Sequence, residues 1–301
     1  MSKGLNKIWI VTLTLLVSLY WVVLLFMFMG CSSDAEPIEL SESCPITFGL
    51  QSVGTRASSV YADGSIPSGK QIGVFAYEQG TAYWSGTTHE PNLMYNQWML
   101  VGNDGSLSYY PLHFWPNEES KKLSFVAYYP YSETHSAKNG VLIDQTNIRK
   151  GSAKIEFRQL EKASEQTDFL ISKWNYNQVR TDGQQTFTFN HMLAKVKITV
   201  IGKAATKVTL KNVCMSAYVD FLGTNAPIWL DNTSYPMKYG TATIDPYTSD
   251  NESVLLMIPQ TTENISITVY YDGGSKTGKL PRESNTQWEA GKSYEYKITV
   301  N

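Results

Sequence analysis

Charge is scarce in this sequence. Asp, Glu, Lys and Arg make up 17% of its 301 residues, where an average soluble protein carries about 25%. The 25 basic and 27 acidic side chains nearly cancel, and no basic run or patch stands out. Nothing here would neutralise a phosphate backbone, so nucleic acid is excluded as a partner. Histidine and cysteine are scarcer still, at 4 and 3 residues. His89, His113, His135 and His191 share no metal-ligand spacing, and His89-Glu90 runs straight into Pro91, which excludes a zincin helix. There is no C-x-x-C pair and no G-x-S-x-G elbow. The expectation is no cofactor, no metal and no catalytic site. Helical periodicity is missing as well: beyond residue 30 no window holds a 3.6-residue apolar repeat.

What is present begins with an apolar run. Lys3 and Lys7 precede an uncharged stretch from Ile8 to Met29. It is longer than the 7–15 residues of an ordinary signal core and long enough, at about 20 residues, to span a bilayer. Gly30-Cys31 follows at once, then the polar and acidic Ser32-Ser33-Asp34-Ala35-Glu36. A small residue before a Cys at the end of an apolar run resembles a bacterial lipobox, although Phe28 stands where a branched residue is usual. On that reading residues 1–30 are a lipoprotein signal, Cys31 carries the lipid and 31–45 is an acidic tether. The competing reading is a retained membrane anchor. Either one places the body outside the inner membrane. With Cys31 lipidated, Cys44 and Cys214 remain, either as a pair or as free thiols; Cys214, beside Val213 and Met215, reads as a small buried residue.

The body reads as strands. Ile46, Phe48 and Leu50 alternate with Thr47, Gly49 and Gln51, and the same period-2 pattern runs through Leu123–Tyr129, Val196–Val200, Ile265–Tyr271 and Tyr294–Val300. Turn chemistry punctuates them at Asp63-Gly64, Asn103-Asp104-Gly105, Asn139-Gly140, Asp182-Gly183 and Asp272-Gly273-Gly274. One apolar face per strand calls for antiparallel sheets packed as sandwiches. The fold class is all-β, with an expected boundary near Asp182-Gly183 that separates residues 46–182 from 183–301. Both halves are large enough to hold cores of their own.

Some apparent motifs have plainer explanations. Gly273 to Lys279 has the G-x-x-x-x-G-K spacing of a phosphate loop, but Leu280 replaces the metal-binding hydroxyl and Pro281 stops the required helix, so a Gly-rich hairpin is expected. The sequons at Asn232, Asn251 and Asn264 are chance matches in a bacterial lipoprotein. Aromatic residues make up 13% of the chain, too many for disorder. Trp84, Trp98, Trp115 and Tyr128 to Tyr131 either stack on sugars or fill cores, and core is the expectation.

In order along the chain come Ile46-Thr47-Phe48, Thr55-Arg56-Ala57, Ile72-Gly73-Val74-Phe75-Ala76-Tyr77, Met94-Tyr95-Asn96-Gln97, Tyr109-Tyr110-Pro111, Phe114-Trp115-Pro116, Leu123 to Tyr131, Thr167-Asp168-Phe169-Leu170, His191 to Val196 and Trp288 to Tyr294. In this order they resemble the Mfa-like fimbrillins, lipoprotein subunits of the type V pili of Bacteroides-type bacteria. The resemblance implies two transthyretin-like β-sandwich domains behind a lipoprotein signal, a surface-exposed place on the outer membrane or in a fimbrium, and no enzymatic activity. It further implies that a trypsin-like protease removes the first strand by cutting between Arg56 and Ala57. A strand from another pilus subunit then fills the vacated groove by β-strand addition. The partners implied are other subunits, outer-membrane lipid through Cys31, and a host or glycan ligand. The segment Tyr294-Tyr296-Ile298-Val300 is read either as a donor strand or as an integral strand of the second domain. A monomeric glycan-binding lipoprotein is the alternative function.

Overall fold

The computed structural model describes residues 43–51, 66–79, 91–133, 139–144, 154–221, 227–247, 254–281 and 286–301. Residues 43–301 form one compact unit by themselves. Almost every named element is a strand, and Ala163–Glu165 forms a short 3-10 turn. No helix among them is long and apolar enough to cross a membrane; the apolar run at Ile8 to Met29 lies outside the described residues.

The first large sheet has nine strands. In spatial order they are Gln185–Phe187, Phe48–Leu50, Ser106–Ser108, Met94–Val101, Gln71–Gln79, Lys122–Tyr129, Leu170–Ser172 and Phe189–His191, with Asn175–Gln178 also paired to Lys122–Tyr129. Its two outermost strands are separated in sequence by Thr188 alone, so the sheet must curl round until its ends nearly meet. Inside that curl lies the first core, built on Phe48, Val74, Leu123, Phe125 and Phe187.

The second sheet is organised by Ala205–Asp220, a strand of 16 residues. Lys154–Arg158, Ile228–Leu230, Lys238–Ile244 and Ser266–Tyr271 all pair with it. At Asn212, with φ of 61°, the ladder to Lys238–Ile244 shifts register between Lys211 and Val213. A second shift falls between Cys214 and Ser216, and each extra residue reverses which parity faces a given side. Val208, Leu210 and Val213 fill the third core, while Cys214, Ala217 and Val219, on the strand's other face, fill the second. Val254–Met257, Ala194–Gly202 and Ser293–Val300 form a three-stranded sheet over that third core. The second core lies between the outer face of the curled sheet (Phe75, Tyr77, Val126, Tyr128) and the 16-residue strand.

The architecture is the all-β, sandwich-like arrangement expected from the alternation. Among the described strands pairing is antiparallel except at two places: Phe48–Leu50 runs parallel to Gln185–Phe187, and Ser293–Val300 runs parallel to Ala194–Gly202. Both parallel pairs join segments far apart in sequence, as parallel pairing requires of its long crossovers. Turns fall at the expected glycines, with φ of 79° at Gly105, 85° at Gly140 and 82° at Gly273. Gly273 to Lys279 belongs to a hairpin with Ser266–Tyr271, as its composition suggested. The strand Lys154–Arg158, which precedes the expected boundary at 182, pairs with Ser216–Asp220 beyond it.

Candidate functional site: the seat of the first strand

The residues around the first strand form a groove with that strand lying in it. Alternation sends Ile46 and Phe48 inward, each 1% exposed, with Cys44 and Leu50 packed beside them at partial exposure. Phe48 sits among three rings: Tyr109 at 5.7 Å, Phe125 at 5.2 Å and Phe187, stacked on it, at 5.5 Å. Offset and edge-on aromatic pairs of this kind add about 0.5–1.5 kcal/mol each beyond area burial.

The backbone is held from both sides. On one side Ile46 N donates to His113 O at 2.9 Å, Trp115 N donates to Cys44 O at 2.9 Å, and Leu50 N donates to Gly105 O at 2.8 Å. On the other, Gln185 N donates to Thr47 O at 2.8 Å and Gln51 N donates to Phe187 O at 3.0 Å. Two side chains complete the seat. The Tyr109 hydroxyl, whose pKa burial raises, donates to Ile46 O at 2.8 Å. Gln184 folds over Gly49, where a Cβ would run into its amide, and Nε2 of Gln184 donates to Phe48 O at 2.6 Å. Glycine at position 49 is what lets that side chain reach the strand.

The seat extends further than the alternation indicates. Pro45 bridges to Phe114, and the Cys44 thiol lies 3.4 Å from Asp182 Oδ1. The sequence starts the strand at Ile46 because proline cannot join a ladder through its nitrogen. Gln184 and the parallel partner Gln185–Phe187 carried no local signal. Cys31, Arg56 and Ala57, the expected lipidation and processing residues, lie outside the described residues, as does Trp84.

Other expected site residues fall elsewhere. Cys44 and Cys214 are free thiols; they belong to different cores, and burial pushes Cys214 up to about 12. His191 Nδ1 meets Asp168 Oδ2 in a partly buried pair. Burial raises the Asp168 carboxyl, opposed by the His191 contact. No group of three metal-ligating side chains exists among the described residues. Trp115, Tyr128 and Tyr129 are core residues. Trp98 is at the surface, 39% exposed, with Leu100, Tyr110, Leu112 and Phe114 also exposed.

The last strand settles into the molecule. Ser293–Val300 pairs with Ala194–Gly202 through eight residue pairs. Tyr296 and Val300 are buried in the third core, and Trp288 Nε1 donates to the Tyr296 hydroxyl at 2.9 Å. Of the two readings of this segment, the integral strand is the one observed.

Phe48–Leu50 is thus bonded on both flanks and packed into the first core, and known proteins share this fold. Residues 55–301 match the family model described as fimbrillin-like. The match covers well over half of the chain, which belongs to the fimbrillin-like family. No curated protein matches it. Among solved structures, a candidate cell adhesion protein from Bacteroides uniformis aligns at 18% identity and a TM-score of 0.57, covering 85% of this chain and 93% of its own. A fimbrial protein from Bacteroides vulgatus aligns at 17% identity and a TM-score of 0.55, over 84% of this chain and 95% of its own. A candidate cell adhesion protein from Bacteroides ovatus gives 18% and 0.56, over 86% and 92%. At these identities the likeness establishes a common fold.

Proposed function

We propose that the chain is a subunit or associated adhesin of cell-surface fimbriae, assembled by replacement of its first strand. Its family supports the coarse reading. The mechanism rests on one observation: residues 44–51 fill a core and are bonded on both flanks, yet they join the rest of the body only through the stretch that contains Arg56. Cleavage between Arg56 and Ala57 would turn an integral strand into a bound peptide. Ile46 and Phe48 each contribute about 1.5–3 kcal/mol through burial, so the peptide stays in place until a competing strand arrives. A vacated seat exposes unpaired N–H and C=O groups on both flanks, a template for another chain's strand. Lipid on Cys31 would hold the precursor at the outer membrane until then; acyl chains contribute about 0.8 kcal/mol per buried CH₂.

The test is trypsin treatment of the full-length protein beside the Arg56→Ala variant. The mechanism predicts SDS-resistant oligomers from the former and monomer from the latter. SDS-resistant oligomers from both would remove cleavage and exchange from the account. Palmitate labelling that survives Cys31→Ala would remove the lipid anchor.

One observation favours a second reading, glycan binding by the monomer. Trp98 and Tyr110, the latter 79% exposed, offer ring faces of the kind sugars stack on. Loss of saccharide retention on Trp98→Ala would support it, and no retention by the wild type would end it.

A further inference from the structure

The strand Ser293–Val300 pairs along one side only, at the end of its three-stranded sheet. The strand Gly274–Lys279 stands at the end of the second sheet and pairs only with Ser266–Tyr271. These two open edges line a single cleft of 220 Å³, with Ile267, Val269 and Ile298 on its apolar side and Lys276, Lys279 and Lys297 around it. That exceeds the ~150 Å³ that accommodates a benzene-sized group.

The cleft exists because of what Gly274–Lys279 carries. Lys276 stands opposite Val269 and Gly278 opposite Ile267, and both partners face the third core. Cross-strand partners share a face, so Lys276 and Gly278 occupy core-side positions. Other strands put apolar residues there. At Gly278 a Cβ would meet nothing within 4 Å, so the sheet edge is left uncovered. The ion pairs among the described residues involve other lysines, and Lys276, Lys279 and Lys297 take part in none of them.

An occupant must therefore be extended, to pair with an open edge, and must carry carboxylates beside aliphatic side chains. The chain itself contains such a segment: Glu36-Pro37-Ile38-Glu39-Leu40-Ser41-Glu42 has three carboxylates, no cation, and two aliphatic residues at the strand period. We propose that the cleft takes residues 36–42 of a second copy of this chain as an added strand. Ile38 and Leu40 would lie over Ile267, Val269 and Ile298, with Glu36, Glu39 and Glu42 beside the lysines. Reach argues for a second copy. Leu40 stays within about 14 Å of its own Cys44; Cys44 packs on the first core, the cleft borders the third, and the second core separates them. A contact between unlike surfaces of identical chains propagates in rows. It requires no cleavage, so it stands or falls separately from strand exchange.

The test uses the uncut full-length protein in detergent, titrated with a fluorescein-labelled peptide of residues 34–43 and followed by anisotropy. Sedimentation of the protein alone accompanies it. Saturable peptide binding is expected, weakening at least tenfold in the double variant Lys276→Glu, Lys297→Glu and in Gly278→Val, which fills the cleft where there is room for the added carbons. Raising salt from about 0.05 to 0.5 M should weaken it several-fold, because the charges are exposed. Self-association of the wild type should disappear in Gly278→Val. Equal binding of a scrambled peptide, binding unchanged in both variants, or a wild type that stays monomeric at all concentrations would each overturn the proposal. Should Gly278→Val unfold, as a thermal melt would show, the exposed lysine variant decides alone.

Discussion

The first and last strands solve opposite problems. Ser293–Val300 is long, is bonded along one side through eight pairs, and lies at a sheet edge. Phe48–Leu50 contributes three residues to its ladder, yet sits between two neighbours and presses Phe48 into a cage of three rings. Length and enclosure are thus separated. Removing the last strand would strip one side of a core; removing the first would part Gln185–Phe187 from Ser106–Ser108 and leave both without a neighbour there. Burial of Ile46 and Phe48 contributes about 3–6 kcal/mol, comparable with the whole net stability of a domain, about 5–15 kcal/mol. A strand so placed cannot be lost without replacement, and that is what makes it suitable for exchange.

The contrast can be broken most directly at Phe48. Phe48→Ala should cost about 3–5 kcal/mol, measured by urea unfolding of the full chain followed through tryptophan fluorescence. A loss under 1 kcal/mol would mean that the ring cage is not holding the strand.

The matching change in the last strand should be milder. Tyr296→Phe keeps the ring in the third core but leaves Trp288 Nε1, now bonded at 2.9 Å, without its acceptor. About 1–3 kcal/mol is expected, and double-mutant analysis with Phe48→Ala should show additivity, since the two residues belong to different cores.

Acid sharpens the comparison from a third direction. Burial alone would raise the pKa of Glu156, but hydrogen bonds from Arg158, Ser216 and Tyr218 outweigh it and hold the carboxyl below the ordinary carboxylate range. A carboxyl depressed in the folded state contributes stability that is present above its unfolded pKa of about 4.5 and is lost as pH falls through the folded value. Glu156→Gln should therefore flatten the acid limb of the stability curve below about pH 4.5. The smallest effect belongs to the surface. Changing Lys121, which bonds to Glu78 at 2.8 Å at the surface, to Ala should leave the urea midpoint almost unmoved, and any loss should shrink at high salt.

Much of the first strand was legible in the sequence, because period-2 alternation is a local property. Ile46 and Phe48 face inward as read, and the turns at Gly105, Gly140 and Gly273 fell where their composition put them. What stayed hidden depends on partners distant in sequence. The parallel neighbour of Phe48 lies at Gln185, and Gln184 closes over Gly49 from the same remote segment. Alternation within a strand carries no information on its neighbour's direction. The bulge at Asn212 was hidden differently: Val208, Leu210, Val213, Ala217 and Val219 look like a broken pattern until one strand is seen to serve two cores. Asp168 and His191 stand 23 residues apart and meet only through the pairing of Leu170–Ser172 with Phe189–His191.

The central claim, that residues 44–51 are a replaceable plug, is tested most directly by strand exchange in solution. The full-length protein, cut with trypsin, is incubated with an isotope-labelled peptide of residues 44–53 and followed by native mass spectrometry. The account predicts uptake of the labelled strand with release of the original one, and no uptake by uncut protein or by Arg56→Ala. A cut protein that keeps its own strand through days of incubation with excess peptide, or an uncut protein that takes up label equally fast, would contradict it.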